Sequence, residues 1–393
     1  MIAALIVAGV LLLAWLYLFL SRARFPAHSL LEFIETEKVP DGWPAVSIVI
    51  PARNEGEILR FSLPSVLASY YPRLEVLLVD DCSEDSTAQT ARQIGEQHDT
   101  VAFRVVAGTT TPPGWRGKPW ALEQGLRASR GEWILFTDAD VTYDPRLVRD
   151  LVRMAVRHGY QMASLMVLLR SETFWDRLLI PAFFFFFHLL YPFHWVRSAR
   201  SRTAAAAGGC VLVERAALEG AGGLEAIRDA WIDDLALARA LKRSGANIYL
   251  GATVQAASFR RYGTLKSLRQ MVTRSAFTQL RYSWGLLALT LAGLAALFGL
   301  PLAGVVAVSL GIFAARPEGL QLLLGVSIGS TLGFMILAYV PALRLYRLPV
   351  VWALTLPAAA LVYAAMTIES ALAHTLGDGV RWKGRAGIKP GRS

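Results

Sequence analysis

The residues of this chain best equipped for chemistry are aspartates in short clusters. Val79-Asp-Asp-Cys-Ser-Glu-Asp-Ser-Thr87 sets two adjacent carboxylates, Asp80 and Asp81, at the end of an apolar run. Helix capping accounts for Asp85 and the hydroxyls. It does not account for Asp80-Asp81, because neighbouring carboxylates repel unless a ligand or cation occupies them. Thr137-Asp138-Ala139-Asp140 follows a second apolar run, Trp133–Phe136. Residues two apart in an extended segment point to one side, so Asp138 and Asp140 can converge on one divalent cation. Hard oxygen ligands suit Mg2+ or Mn2+, ions that retain water and take diphosphate oxygens as further ligands. Such an ion offsets the charge growing on a departing diphosphate.

Three further clusters each carry two readings. Trp231-Ile-Asp-Asp234 opens the amphipathic stretch Leu235–Leu241. Acids at a helix start favour the dipole; alternatively, Asp233 or Asp234 is a general base toward an acceptor hydroxyl. Pro51-Ala-Arg-Asn-Glu55 follows the run Val46–Ile50. It is either a solvated turn, with Asn54 capping the next helix, or a set of groups that hydrogen-bond a nucleobase or ribose. In the basic run Arg260-Arg261-Tyr262 and Arg269 to Arg274, Gln270 and Arg274 share a helical face. Those cations suit bidentate contact with a diphosphate and equally a membrane surface.

Around these clusters the chain alternates. Strands are expected at Val46–Ile50, Glu75–Val79, Val101–Val106, Trp133–Thr137 and Ala163–Leu169, with helices at Ile58–Ala68, Ser86–Gln97 and Trp120–Ala128. That order predicts an α/β domain with a parallel sheet and helices on both faces. Ligands of such sheets gather at the carboxyl ends of the strands, where the clusters at 51–55, 80–87 and 137–140 all fall.

Hydrophobic residues make up 54% of the 393, and the excess is concentrated in a few stretches. Residues 1–21 carry no charge and match the roughly 20 apolar residues of a membrane span. They lack the basic start and small-residue cleavage site of a signal peptide, so a retained anchor is expected. A polar connector, 22–45, leads to the soluble domain, 46–282. Within that domain, 178–196 holds Phe183-Phe-Phe-Phe-Phe187 between Pro181 and Pro192. It reads as a helix lying on the bilayer, with a buried core helix as the alternative.

Residues 286–376 form apolar blocks of transmembrane helices, and the tail 377–393 is basic. Basic flanks favour the cytoplasm, yet three spans after a cytoplasmic domain put the tail outside. One block is therefore expected to be re-entrant or interfacial, or the block broken by Pro301 to be a hairpin. The net charge of +10 suits an anionic leaflet and an anionic donor, and no nucleic-acid partner is expected. The only two cysteines, Cys82 and Cys210, argue against a disulfide framework or a zinc site.

Taken together, Pro51–Glu55, Val79–Thr87, Thr137–Asp140 and Ile232–Asp234 resemble family 2 inverting glycosyltransferases of the GT-A fold. A narrower resemblance is to the bacterial hopene-associated glycosyltransferases, carried by Pro113-Gly-Trp-Arg-Gly-Lys-Pro-Trp120, Ser164-Leu-Met-Val167, Ile180-Pro-Ala-Phe183, Thr203 to Cys210 and Ala276 to Tyr282. The resemblance implies a Rossmann-like nucleotide-diphospho-sugar transferase domain in the cytoplasm, in a multi-pass protein of the bacterial inner membrane. It implies that Glu55, Asp80 and Asp81, with Arg53 and the main chain of Pro51 and Ala52, hold a uridine-type nucleotide beside Lys118. Asp138 would face the ribose or sugar, Asp140 would bind the metal, and Arg274 would contact the diphosphate. Asp234, beside Asp233, would be the base, and Gly208-Gly209 would lie near the acceptor, a lipid of hopanoid type.

One departure from the family stands out. Met271-Val-Thr-Arg-Ser275 keeps Arg274 where relatives have Gln/Arg-x-x-Arg-Trp but lacks the Gln and Trp, which points to a single transfer rather than processive synthesis. The competing classes are a sugar-nucleotide or polyprenyl-phosphate processing enzyme and a non-catalytic membrane scaffold.

Overall fold

Strands buried on both faces need no polar alternation, and the central strands here have none. Val46, Ile48, Val49, Ile50 and the run Val76 to Val79 are all buried. Ile48 and Ile50 share a core with Leu59, Leu63 and Val66 of the helix Gly56–Leu67. Val49 points the other way, so close to the helix Gly117–Ala128 that a Cβ on Gly125 would lie 2.3 Å from its Cγ1. In this computed structural model residues 1–22, 30–31, 42–376, 381–382 and 385–386 are described. Most of the connector 22–45 and of the tail 377–393 lies outside the described residues.

The chain divides into a sheet unit, Ser29–Arg170 with Tyr191–Arg261, and a helical unit, Met1–His28, Ser171–Leu190 and Tyr262–Ser393. The strands of the sheet unit are β1 (Leu30–Leu31), β2 (Val46–Ala52), β3 (Leu74–Asp80), β4 (Ala102–Ala107), β5 (Trp133–Phe136), β6 (Val141–Tyr143), β7 (Met162–Leu168), β8 (Val211–Glu214) and β9 (Ile248–Ser258). Their order is β1-β9-β7-β8-β5-β2-β3-β4, with β6 paired to β9. The expected parallel arrangement holds for β5-β2-β3-β4. It fails beyond β5, where β8 is antiparallel to both neighbours and β6 is antiparallel to β9. The sheet is mixed because a short strand from a distant part of the chain inserts between β5 and β7.

Two loops at the carboxyl edge are tied to each other. Asn54 N–H donates to Ser83 Oγ at 3.0 Å, Glu84 N–H to Asn54 Oδ1 at 2.8 Å, and Glu55 N–H to Thr87 Oγ1 at 2.8 Å. Asp85 accepts from Gly56 N–H at 3.1 Å and from Thr87 N–H at 2.9 Å. One carboxylate therefore serves the starts of two helices, Gly56–Leu67 and Thr87–Gly95.

In the helical unit four helices are long and apolar enough to cross a bilayer: Ile2–Ser21, Trp284–Ser309, Glu318–Leu345 and Val350–Leu376. The block containing Pro301 is one continuous helix rather than a hairpin. Pro301 has no N–H for the carbonyl of Leu297. That carbonyl lies in a π-helical turn, Ala295–Gly299, and accepts from the Trp15 indole at 3.0 Å. The Phe-rich segment forms the helix Phe174–Leu190, whose Phe184 and Phe185 are buried. Phe185 packs edge-on against Tyr339, and Tyr363 donates to the Leu179 carbonyl at 2.9 Å.

Asp85→Ala removes acceptors from two helix starts and is expected to lower stability by about 1 kcal/mol. Thermal melting in detergent checks this, and Asp85→Asn should recover most of the loss.

Candidate active site

Register decides which side chains meet. β2 and β3 pair so that Ala52 lies opposite Asp80, and their loops leave the sheet side by side. Asp81 N–H donates to the Ala52 carbonyl at 2.8 Å, and Arg53 Nη1 donates to the Asp81 carbonyl at 2.9 Å. Glu55 and Asp81 are buried, Asp80 and Arg53 half-buried. Gly108, after β4, closes on the same turn: its Cβ would sit 2.5 Å from the Asp80 carbonyl oxygen. β8 pairs Val211 with Phe136, which brings Gly208-Gly209 to the end of β5, where Thr137 Oγ1 donates to the Gly209 carbonyl at 2.8 Å.

The centre of the site is Lys118. Its ammonium lies 2.9 Å from Asp138 and 3.3 Å from Asp233. A Cβ placed on Gly208 would meet Asp234 Oδ2 at 3.2 Å and Lys118 Nζ at 3.3 Å. Lys118, Gly208, Asp233 and Asp234 line one pocket with Phe136 and Leu237. Burial by itself would lower the Lys118 pKa, but Asp138, Asp233 and Asp234 outweigh it and the lysine is held firmly charged. Burial, then the charge of Asp233, pushes Asp234 up to about 7 against the opposing pull of Lys118. The main-chain N–H of Leu235 donates to Asp234 Oδ1 at 2.7 Å.

Asp140 reaches the site because Val141 at the start of β6 pairs with Ser258 at the end of β9. Ser258 Oγ donates to Asp140 Oδ2 at 2.6 Å, and Arg260 bridges Asp140, at 3.3 Å, and Glu55, at 2.7 Å. Burial and the nearby Asp138 raise the Asp140 pKa, while Arg260 and Ser258 oppose the rise. Among the described residues, one oxygen of Asp138 and one of Asp140 have no protein partner. No group of three or more metal-binding side chains occurs there. Two carboxylates with open oxygens fit a small hard cation that draws its remaining ligands from water and a diphosphate.

The sheet unit thus carries Pro51, Ala52, Arg53, Glu55, Asp80, Asp81, Lys118, Asp138, Asp140, Gly208, Gly209, Asp233 and Asp234 at one edge. Arg274 belongs to the helical unit, exposed just after the helix Leu265–Thr273. Within the basic run the residue that meets the acids is Arg260. Its only sequence signal is the cluster Arg260-Arg261, since its carboxylate partners lie 120 and 205 positions away. Also unforeseen is Arg116, stacked 3.8 Å above Trp231 while its Nε donates to the Asp229 carbonyl at 2.9 Å. That stack ties the loop before Lys118 to the turn before Asp233.

Residues 47–220 match the family model for glycosyl transferase family 2. Over 111 residues the chain is 36% identical to the probable glycosyltransferase YdaM of Bacillus subtilis, a stretch covering 28% of this chain and 26% of that protein. Over 129 residues it is 33% identical to 4,4'-diaponeurosporenoate glycosyltransferase of Staphylococcus aureus, covering 33% and 32%. The chain therefore spans about a quarter to a third of the length of these relatives. Among solved structures, mannosyltransferase PcManGT from Pyrobaculum calidifontis, in complex with GDP-Man and Mn2+, aligns with a TM-score of 0.55 at 22% identity, over 93% of this chain and 99% of that one. That likeness is one of fold. Residues 47–220 thus match glycosyl transferase family 2, and the mixed α/β sheet that they help to build has the GT-A fold.

Proposed function

We propose that the chain is a membrane glycosyltransferase that moves a sugar from a nucleoside diphosphate, of uridine type, to the hydroxyl of a lipid acceptor with inversion at the anomeric carbon. The observation that carries this reading is the gathering of Asp138, Asp233 and Asp234 around the Lys118 ammonium. A base and a donor-facing carboxylate then share one small site. Asp234 Oδ1 is occupied by the Leu235 N–H, which leaves Oδ2 beside Gly208 to take the acceptor proton. The deprotonated oxygen attacks the anomeric carbon on the face opposite the diphosphate, and the diphosphate departs.

Glu55, Asp80 and Asp81, with Arg53 and the main chain at Pro51 and Ala52, orient the nucleoside, and Lys118 fixes the sugar end. Asp138 and Asp140 would hold a Mg2+ or Mn2+ ion, which when bound neutralises charge on the leaving diphosphate. A lipid acceptor is supported by the four apolar helices and by the relative that glycosylates 4,4'-diaponeurosporenoate. A hopanoid-type acceptor and a cytoplasmic site at a bacterial inner membrane follow from the resemblance of the motifs.

Incubating the detergent-solubilised chain with a panel of nucleotide sugars and bacterial lipid extract tests the class. A glycolipid product is expected, whereas diphosphate release that ignores the lipid would point to donor hydrolysis instead. Asp234→Asn should keep donor affinity and lose about 10²- to 10⁴-fold in turnover; undiminished turnover removes this base. Because Asp234 must be ionised to accept a proton, kcat/KM should climb with pH through about 7 and then level. Lys118→Met withdraws the charge that favours ionisation and should move that climb to higher pH. Asp140→Asn should weaken Mn2+ binding, read by the electron paramagnetic resonance of free Mn2+ in the presence of nucleoside diphosphate.

A further inference from the structure

The helix Asp233–Arg243 carries Asp234 at its start and Lys242 in its last turn, about 12 Å apart at 1.5 Å per residue. Lys242 Nζ lies within hydrogen-bonding distance of four main-chain carbonyls, those of Trp195 at 3.3 Å, Val196 at 2.5 Å, Ser198 at 3.0 Å and Thr203 at 3.0 Å. An ammonium has three protons, so one is shared. All four carbonyls come from the strap 195–207, which begins in the short helix Phe193–Arg197 and runs on toward Gly208. A solvated lysine would have no reason to gather four carbonyls; here they converge on a half-buried charge whose pKa is lowered by that burial.

The strap is fixed again farther on. Ala204, Ala205 and Ala206 are buried. Ser164, on β7, both donates to the Ala207 carbonyl at 3.2 Å and accepts from the Ala207 N–H at 2.8 Å. The next residue, Gly208, lies against Asp234, whose Oδ2 would be 3.2 Å from a Cβ placed there. Helix and strap thus touch at both ends, through Lys242 at one and through Asp234 at the other.

We propose that Lys242 is a positioning residue for the base, fastening the strap 195–207 to the far end of the helix so that the Gly208 main chain stays against Asp234. The inference rests on the glycosyl-transfer reading and adds to it a residue that touches neither donor nor acceptor. An arginine cannot replace the lysine, because a planar guanidinium spreads its donors instead of converging them on one point.

The test uses the full chain in detergent with Lys242→Met and Lys242→Arg. UDP-glucose and GDP-mannose serve as donor probes and bacterial lipid extract as acceptor. In both variants kcat should fall by about 10- to 100-fold with donor affinity unchanged, and amides of 195–208 should exchange hydrogen faster while those of β2 and β3 stay protected. Unchanged exchange in the strap overturns the proposal, and so does faster exchange with normal turnover. Loss of protection across the sheet in both variants also overturns it, because the lysine would then hold the fold and not the strap. Asp234→Asn measured alongside separates the failures: full turnover there removes the base assignment itself, whereas normal turnover in Lys242→Met removes only the positioning role. If neither donor turns over, the exchange measurement still decides whether Lys242 fastens the strap.

Discussion

Asp138, Asp233 and Asp234 converge on the one ammonium of Lys118, and the rest of the site follows from that sharing. Two unit charges 4 Å apart interact by about 4 kcal/mol at an effective dielectric near 20, so three carboxylates could not stand together ionised without a cation among them. Lys118 supplies the cation from the first turn of its helix, Gly117–Ala128. The acids arrive from the end of β5 and from the start of the helix Asp233–Arg243. A Cβ on residue 208 would lie 3.2 Å from Asp234 Oδ2 and 3.3 Å from Lys118 Nζ, so glycine there lets the acid and the lysine keep their places. Burial, then the charge of Asp233, raises the Asp234 pKa, and one lysine shared among three acids offsets that only in part.

What could be read from the sequence, and what could not, follows from the range of the interactions. β2, β3 and β5 announce themselves because they are buried on both faces and so are continuous apolar runs. Asp80-Asp81, Asp138/Asp140 and Asp233-Asp234 stand out because carboxylates so close along a chain need an outside reason. β8 is only four residues long, and β9 dilutes its apolar character with Gly251, Thr253 and Gln255. Neither declares its partner, so the antiparallel insertion beside β5 could not be read locally. Arg260 shows the same limit at the level of one side chain: the cluster of arginines is visible, but its pairing with Glu55 and Asp140 exists only once β6 and β9 are zipped together.

In the helical unit, the apolar blocks were plain from composition, but the consequence of Pro301 was not. A proline inside a helix leaves a carbonyl without its usual donor, and from the sequence that reads as a break. The structure keeps the helix continuous through a π-helical turn and a donor from Trp15. Breaking a helix in an apolar setting would expose several main-chain groups, each costly without water, whereas one indole N–H from a neighbouring helix satisfies the single orphan.

Backbone conformation at the two loops completes the physical picture. Asn54 and Cys82 both adopt positive φ, 51° and 52°, a region that non-glycine residues seldom occupy. Such conformations persist only where the surroundings over-determine them, and here they do. Asn54 is held through both its N–H and its side-chain carbonyl, and Cys82 N–H donates to the Asp80 carbonyl at 2.8 Å. The strain lies in the two turns that carry Glu55, Asp80 and Asp81, where a nucleoside is proposed to bind. Fixing those turns before the ligand arrives removes an ordering cost from binding. The same logic applies to the hydrogen bonds that run from one loop to the other.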